Sequence, residues 1–394
     1  MKRSLVRVQL TPLNMRIGID ISVLNDKNRT GIGVYTFELI KNLLKTNEQS
    51  SSSSKKDKFI LFGIATLSTY EYLKNLEFKD YPNVEMKVYK MPAKFFRTAF
   101  LTWQKLNWPP IETFIGPVDI FHSFNWFMPP QRHGKRVATV FDLTSVLFPQ
   151  WHDPKTTQLD KARFNRIAKN ADLVIAISES TKKDFMEFKP KGRVEVIYPA
   201  VRDGLGKRGK EKETLEKYGL KPGYLLAVGT LEPRKNLENL VKAYLESKIS
   251  EPLILVGKSG WKNEGLMDLI NKHQDRIKQL GFVPDEELAN LYKHALIFVY
   301  PSFYEGFGIP VLEAMKAGLP VITSNISSLP EVGGKAARYI DPSNTKEIGN
   351  EIKKIIGDIR IRRRMGQMGM KQAEKFSWEK SAQELNKLYQ EITA

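Results

Sequence analysis

The sequence predicts an α/β protein of two parallel-sheet domains facing a cleft, and three observations carry that expectation. Short β-rich apolar runs alternate with helical runs along the chain from Met15 onward. The alternation starts twice, at Met15 and again at Tyr224, each time as a strand running into a glycine-bearing loop and then a helix. At 394 residues the chain is long enough for two domains, each with its own core.

Met15 to Ile21 reads as the first strand, and Asn25 to Thr30 as a polar loop. Gly31-Ile-Gly33 then opens a helix carrying Phe37, Leu39, Ile40, Leu43 and Leu44. Bare backbone at Gly31 and Gly33 lets a phosphate or an acceptor approach the helix start, although tight turns also use such a pair. The serine run within Thr46 to Lys58 reads as a flexible loop. Phe59–Ile64 and Val84–Tyr89 are the next strands. Between Lys94 and Pro109, Phe95, Phe96, Phe100, Leu101, Trp103, Leu106 and Trp108 interleave with basic residues at near-helical spacing. Two readings stay open there: a helix lying on a membrane interface, or one packing its aromatic side chains into the first domain.

Two strands follow with polar ends, Asp119-Ile-Phe-His122-Ser and Val137-Ala-Thr-Val-Phe141-Asp142. In a parallel sheet those ends lie at the carboxyl edge, where such sheets bind ligands. His122 and Asp142 are thereby placed at that edge, where a structural hydrogen-bonding role is the plain reading of the histidine. Asp160–Ala171 reads as helix, Asp172–Ile177 as strand, and Ser178 or Ser180 as the cap of the next helix. Val194–Val201 is the last strand of the first domain, and the Gly- and Lys-bearing stretch Asp203–Lys212 is the expected linker.

The second series opens with the buried strand at Tyr224, then Gly229-Thr-Leu-Glu-Pro-Arg234-Lys235-Asn236 and a helix. Arg supplies a planar fork and Lys a point charge, two ways of holding a diphosphate; solvated surface cations are the plain alternative. Pro252–Gly257 and Ile277–Val283 are strands, and Ala295–Tyr300 is another, halted by Pro301. Ser302–Gly308 is then a glycine loop, followed by a helix with Pro310 in its first turn and Gly318 past its end, and a strand at Leu319–Thr323. Such a unit points free amides and a positive dipole end above the sheet. Glu305 precedes the helix and Glu313 lies about one turn inside it, so both can face one crevice and accept hydroxyls there.

The unit Glu305-Gly306-Phe307-Gly308-Ile-Pro-Val-Leu-Glu313 resembles the Glu-x7-Glu signature of retaining glycosyltransferases of GT-B fold, family GT4. Ser-Leu-Pro-Glu-Val-Gly-Gly at 328–334 and Ala-Arg-Tyr-Ile-Asp-Pro at 337–342 continue that resemblance, which spans nearly the whole chain from Met15. It implies two Rossmann-like domains, at 15–203 and 204–375, with the helix at 376–394 crossing back to the first. It implies that Glu305 contacts the donor sugar and Glu313 the ribose, while Gly306, Phe307 and Gly308 offer amides. Lys235 would bind the donor phosphates, with Gly229 beside it and Arg234 replacing the arginine that relatives carry where this chain has Thr230. Phe282 and Val283 would seat the base, and Gly31 and Gly33 would face the phosphates across the cleft. His122 and Asp142 match family positions, which makes them candidate catalytic groups beside Glu305, whereas Phe141 departs from the family's histidine and leaves open which group sits beside the anomeric carbon.

The resemblance implies hexose transfer from a nucleotide-sugar to an acceptor hydroxyl. GDP-mannose leads as donor on the Tyr-Pro-Ala-Val and Gly-Thr-Leu-Glu-Pro-Arg-Lys-Asn patterns, with UDP-sugars open. The chain has no Asp-x-Asp, so neither metal nor cofactor is expected. A GT-B phosphorylase or synthase is the rival enzyme, and would need a site for inorganic phosphate or a pyridoxal lysine. A basic nucleic-acid-binding protein is the rival of another class, and the absence of a nucleic-acid motif argues against it.

Net charge is +18. Residues 1–203 hold 32 Lys and Arg against 20 Asp and Glu, a surplus of +12, and 204–394 hold 30 against 24, a surplus of +6. Such an excess attracts polyanions, among them an anionic membrane surface and phosphorylated substrates. The resemblance implies the nucleotide-sugar donor and a glycan or lipid-linked acceptor as partners, and the charge adds an anionic membrane surface. Zero cysteines exclude disulfides and fit a reducing cytoplasm. Residues 1–14 read as a disordered extension without the apolar run of a signal peptide, and Met15 is a candidate start.

Overall fold

The computed structural model describes residues 14–27, 29, 31–49, 56–124, 128–202 and 211–394. The expected extension at 1–13, the serine run at 51–54 and most of the expected linker, at 203–210, lie outside the described residues.

Among the described residues two parallel sheets form, with seven and six strands. The first contains β1 (Arg16–Asp20), β2 (Lys58–Ala65), β3 (Val84–Lys90), β4 (Ile120–Phe124), β5 (Lys135–Val140), β6 (Leu173–Ala176) and β7 (Arg193–Val196). The second contains β8 (Tyr224–Val228), β9 (Leu253–Val256), β10 (Ile277–Gln279), β11 (Ala295–Tyr300), β12 (Val321–Ser324) and β13 (Arg338–Ile340). Their orders are β3-β2-β1-β4-β5-β6-β7 and β10-β9-β8-β11-β12-β13. Each runs outward in one direction from its first strand and then in the other. The reversal leaves a crevice at the carboxyl ends of β1 and β4 in one sheet and of β8 and β11 in the other.

The central strands are apolar on both faces because helices cover both: Tyr224, Leu225, Leu226 and Ala227 are all buried, as are Ile297, Phe298 and Val299. Residues that read as helix or loop from the sequence differ mainly at boundaries. Helix Gly31–Gln49 runs into the segment expected as a loop from Thr46. β10 stops at Gln279, four residues short of its expected end. β13 was not predicted as a strand; three residues paired to β12 are too few for a periodic signal.

The last helix, Trp378–Thr393, lies along helix Gly31–Gln49 of the first half. Trp378 Nε1 donates to the Val201 carbonyl at 3.1 Å, and its ring stands 5.6 Å from that of Tyr35. One hydrophobic core runs continuously from β1 and the last helix through Phe141 to Phe307 and β11, joining the two halves.

Among the described residues no helix is long and apolar enough to cross a membrane. The stretch 94–109 divides its aromatic residues. Phe96, Phe100 and Trp103 pack against a core cluster of the first half. Phe95, Leu101, Leu106 and Trp108 are exposed, at 51, 44, 65 and 63%.

Candidate active site

The topological reversal of the second sheet sets Gly229–Asn236, after β8, beside Ser302–Gly308, after β11. Lys235 and Glu305 thereby become neighbours although 70 residues separate them. Lys235 Nζ donates to Glu305 Oε1 at 2.7 Å and to the Tyr300 hydroxyl at 2.5 Å. Arg234 Nη1 donates to Glu305 Oε2 at 2.7 Å and to the Tyr304 carbonyl at 3.0 Å, while Nη2 stands 2.7 Å from Glu232 Oε1. Both oxygens of Glu305 are thus paired with cations in a site where Glu305 and Lys235 are less than a tenth exposed.

Burial alone would drive the Glu305 carboxyl up, but Arg234 and Lys235 outweigh it and hold the group at about 2. Burial and then Arg234 push the Lys235 ammonium down from its usual value, against the pull of Glu305. With Glu232 also against Arg234, two cations face two carboxylates, and Arg234 and Lys235 are charged donors of the kind that hold a diphosphate.

Helix Ile309–Lys316 begins at Gly308, whose φ of +109° is a conformation open to glycine. The preceding loop is pinned from the segment after β12. Ser327 Oγ accepts from the Glu305 amide at 2.9 Å, and Ser328 Oγ lies 2.8 Å from the Glu305 carbonyl and 2.7 Å from that of Phe307. The Phe307 ring is turned away into the core, against Tyr198 and Phe376.

The first half closes over this loop. A Cβ added at Gly306 would overlap the Phe141 carbonyl oxygen and stand 3.1 Å from Asp142 Cβ, so the contact requires glycine there. Thr181 Oγ1 lies 3.2 Å from both the Phe141 and Gly306 carbonyls, and the Tyr304 hydroxyl donates to Asp184 Oδ2 at 2.6 Å. Asp142 is therefore brought to the Glu305 loop, where its Oδ1 also accepts from the Thr144 amide at 3.0 Å.

His122 is not brought there, which corrects its candidacy as a catalytic group. Strand β4 continues to Phe124, so His122 is not at its end. Its side chain is wholly buried and stacks on Phe124, with ring centroids 4.2 Å apart. Nδ1 lies 2.6 Å from the Tyr389 hydroxyl of the last helix and Nε2 lies 2.8 Å from Thr139 Oγ1, which occupies both nitrogens. Burial pushes its imidazole down to about 3, so it stays neutral. This is a structural histidine fastening the last helix to β4 and β5.

Glu313, 1% exposed, accepts on Oε1 from Arg202 Nε at 3.2 Å and Nη2 at 3.1 Å, and on Oε2 from the Tyr292 hydroxyl at 3.1 Å. The sequence reading missed Arg202, although it directly follows the flagged Tyr-Pro-Ala-Val; likewise Ser328 opens a flagged pattern and went unassigned. Phe282 and Val283 follow β10, two strands from the reversal: the Phe282 ring is half exposed beneath Lys258, while the Val283 side chain is in the core. Gly31 and Gly33 open the helix after β1, where a Cβ on Gly31 would meet nothing and one on Gly33 would press on Arg29. Among the described residues no group of three or more His, Asp and Glu side chains is placed to hold a metal.

Residues 65–204 match the family described as Glycosyltransferase Family 4, and residues 210–372 match Glycosyl transferases group 1. The chain is 35% identical over 271 residues to the O-antigen chain mannosyltransferase B of Escherichia coli, an alignment covering 66% of this chain and 71% of that protein. It is 32% identical over 266 residues to the serotype-specific mannosyltransferase WbdA of E. coli, covering 63% of this chain but 32% of that protein. In structure it is similar to sucrose-phosphate synthase from Thermosynechococcus elongatus, with a TM-score of 0.74 over 96% of this chain and 99% of that one; at 21% identity this is a likeness of fold.

Proposed function

The chain belongs to the group 1 glycosyltransferases, and from that premise we propose that it moves mannose, with retention of configuration, from GDP-mannose to a hydroxyl of a growing cell-surface polysaccharide such as an O-antigen. The observation that carries the reading is the Lys235–Glu305–Arg234 cluster at the topological reversal, above a helix N-terminus and beneath the first half. Mannose is supported by the names of the two E. coli relatives, which are mannosyltransferases.

Transfer breaks the bond between the sugar C1 and the terminal phosphate oxygen, and charge grows on the departing diphosphate. Lys235 and Arg234 are fixed donors at that charge and need little reorganisation to meet it. Their neutralising partner, Glu305, then turns its acceptor capacity to the sugar hydroxyls. The amides of the 306–308 loop and the start of helix Ile309–Lys316 favour the same anion. Glu313 accepts from the ribose. Asp142, held against Gly306 from the first half, is the acid on the acceptor's side of the cleft.

The acceptor is carried on a lipid, and the first half meets the anionic membrane that holds it. Exposed Phe95, Leu101, Leu106 and Trp108, with Lys94 and Lys105 on the same stretch, support this, as does the +12 surplus of residues 1–203. Apolar side chains inserted at the interface and lysines near the headgroups together produce reversible attachment.

A thermal-shift panel of GDP-mannose, GDP-glucose, UDP-glucose and UDP-galactose tests the donor. GDP-mannose is expected to raise Tm most, by mass action on the folded state. A larger shift with a uridine donor overturns the choice of GDP-mannose, and no shift with any of them overturns the donor site.

A further inference from the structure

Arg202 stands between β7 of the first half and the segment leading to the second, and its guanidinium reaches Glu313 across 111 residues of sequence. It is half-buried, with a side chain 20% exposed, and Glu313 is buried in helix Ile309–Lys316. Nε and Nη2 both address Oε1, while Nη1 donates to Asp285 Oδ1 at 2.6 Å. A carboxylate has roughly four acceptor positions. Arg202 fills those of Oε1 and Tyr292 fills one on Oε2, so one direction on Oε2 remains for a ligand hydroxyl.

We propose that Arg202 is a positioning residue for donor binding: it holds Glu313 as an oriented anion, so that the free direction of Oε2 meets the donor's ribose. This rests on the reading of Glu313 as the ribose acceptor. Three charged or titratable groups act on Glu313: Arg202 favours its ionised form, Asp285 opposes it, and the Tyr292 hydroxyl bonds to it. Burial pushes the Glu313 carboxyl up, and Arg202 is the largest influence holding it back. Without Arg202 the acid takes up a proton nearer neutrality and loses an acceptor position at the ribose. A merely structural ion pair would make no such link between pH and donor affinity.

Calorimetric titration of GDP-mannose, with UDP-glucose in parallel, from about pH 6 to about pH 9 tests the proposal on the wild type, R202Q, R202K, E313Q and R202Q/E313Q. R202Q is expected to weaken binding about tenfold or more at the acid end and to approach the wild type at the alkaline end. R202K restores most of the affinity, and R202Q costs nothing further in the E313Q background. Wild-type affinity in R202Q at every pH, beside impaired E313Q, overturns the proposal alone, and so does a loss equal at every pH. Unimpaired binding by E313Q overturns the ribose reading and the proposal with it. If R202Q does not fold, the double variant, which strands no buried acid, carries the test: affinity equal to E313Q supports the proposal, and weaker affinity overturns it.

Discussion

Glu305→Gln removes the acid that pairs with two buried cations and leaves the amide in its place. The Glu305 carboxyl is lowered from 4.5 to about 2 in the folded protein. At about 1.4 kcal/mol per unit, that difference corresponds to roughly 3.5 kcal/mol, in line with the 3–5 kcal/mol cost of breaking a buried pair. A lowered folded-state value contributes stability that is fully present above the unfolded value and lost as pH falls through the folded one. The deficit in E305Q is therefore expected in full at neutral pH and should fade between about pH 4.5 and about pH 2. At pH 7, differential scanning calorimetry should show Tm lower by roughly 4 °C, with the protein still folded and sugar transfer sharply reduced. The stranded Arg234 and Lys235 then seek another anion, so inorganic pyrophosphate should raise Tm more in E305Q than in the wild type; about 2.7 kcal/mol is recovered at a hundredfold excess over Kd. An unchanged Tm at pH 7, or equal stabilisation of both proteins by pyrophosphate, refutes the reasoning.

Lys235→Ala and Arg234→Ala should each weaken donor binding by about 1.5–3 kcal/mol in calorimetric titration, and unchanged affinity in both would return them to a structural role. Glu331 accepts from the Glu179 amide across the two halves at 3.1 Å, and burial raises its carboxyl to about 7. An acid raised on folding opposes stability above that value and ceases to do so as pH falls toward the unfolded range. Glu331→Gln should accordingly raise Tm at about pH 8 and leave it nearly unchanged at about pH 5; equal shifts at both would refute the assignment. Co-sedimentation with anionic vesicles at low salt should drop when the exposed Phe95 and Trp108 are changed to Ser. Sedimentation indifferent to lipid charge, salt and these substitutions would sink the membrane reading and leave the transferase reading standing.

The elements and the chemistry of the second crevice were legible because they are local. Alternation of apolar runs with helical ones, the proline halting β11, Gly308 before the helix and Gly318 after it all act within a few residues, and twelve of the thirteen strands among the described residues were read this way. The Glu305–Glu313 spacing is likewise a property of one loop and one helical turn. What tertiary structure decided is which groups meet. His122 looked like a strand-end ligand, yet its surroundings are set by Tyr389, 267 residues away, which seals it in the core. Arg234 and Lys235 read as cations awaiting phosphate, yet Glu305 pairs with both, because reversal of strand order places β8 beside β11. The exposed and packed faces of the 94–109 stretch share one composition, and only contact with the first sheet separates Phe96 and Trp103 from Phe95 and Trp108. Arg202 carries no local pattern at all. Its role arises where the chain leaves one sheet and passes the helix of the other, and a pairing made across that distance leaves no trace in the residues around it.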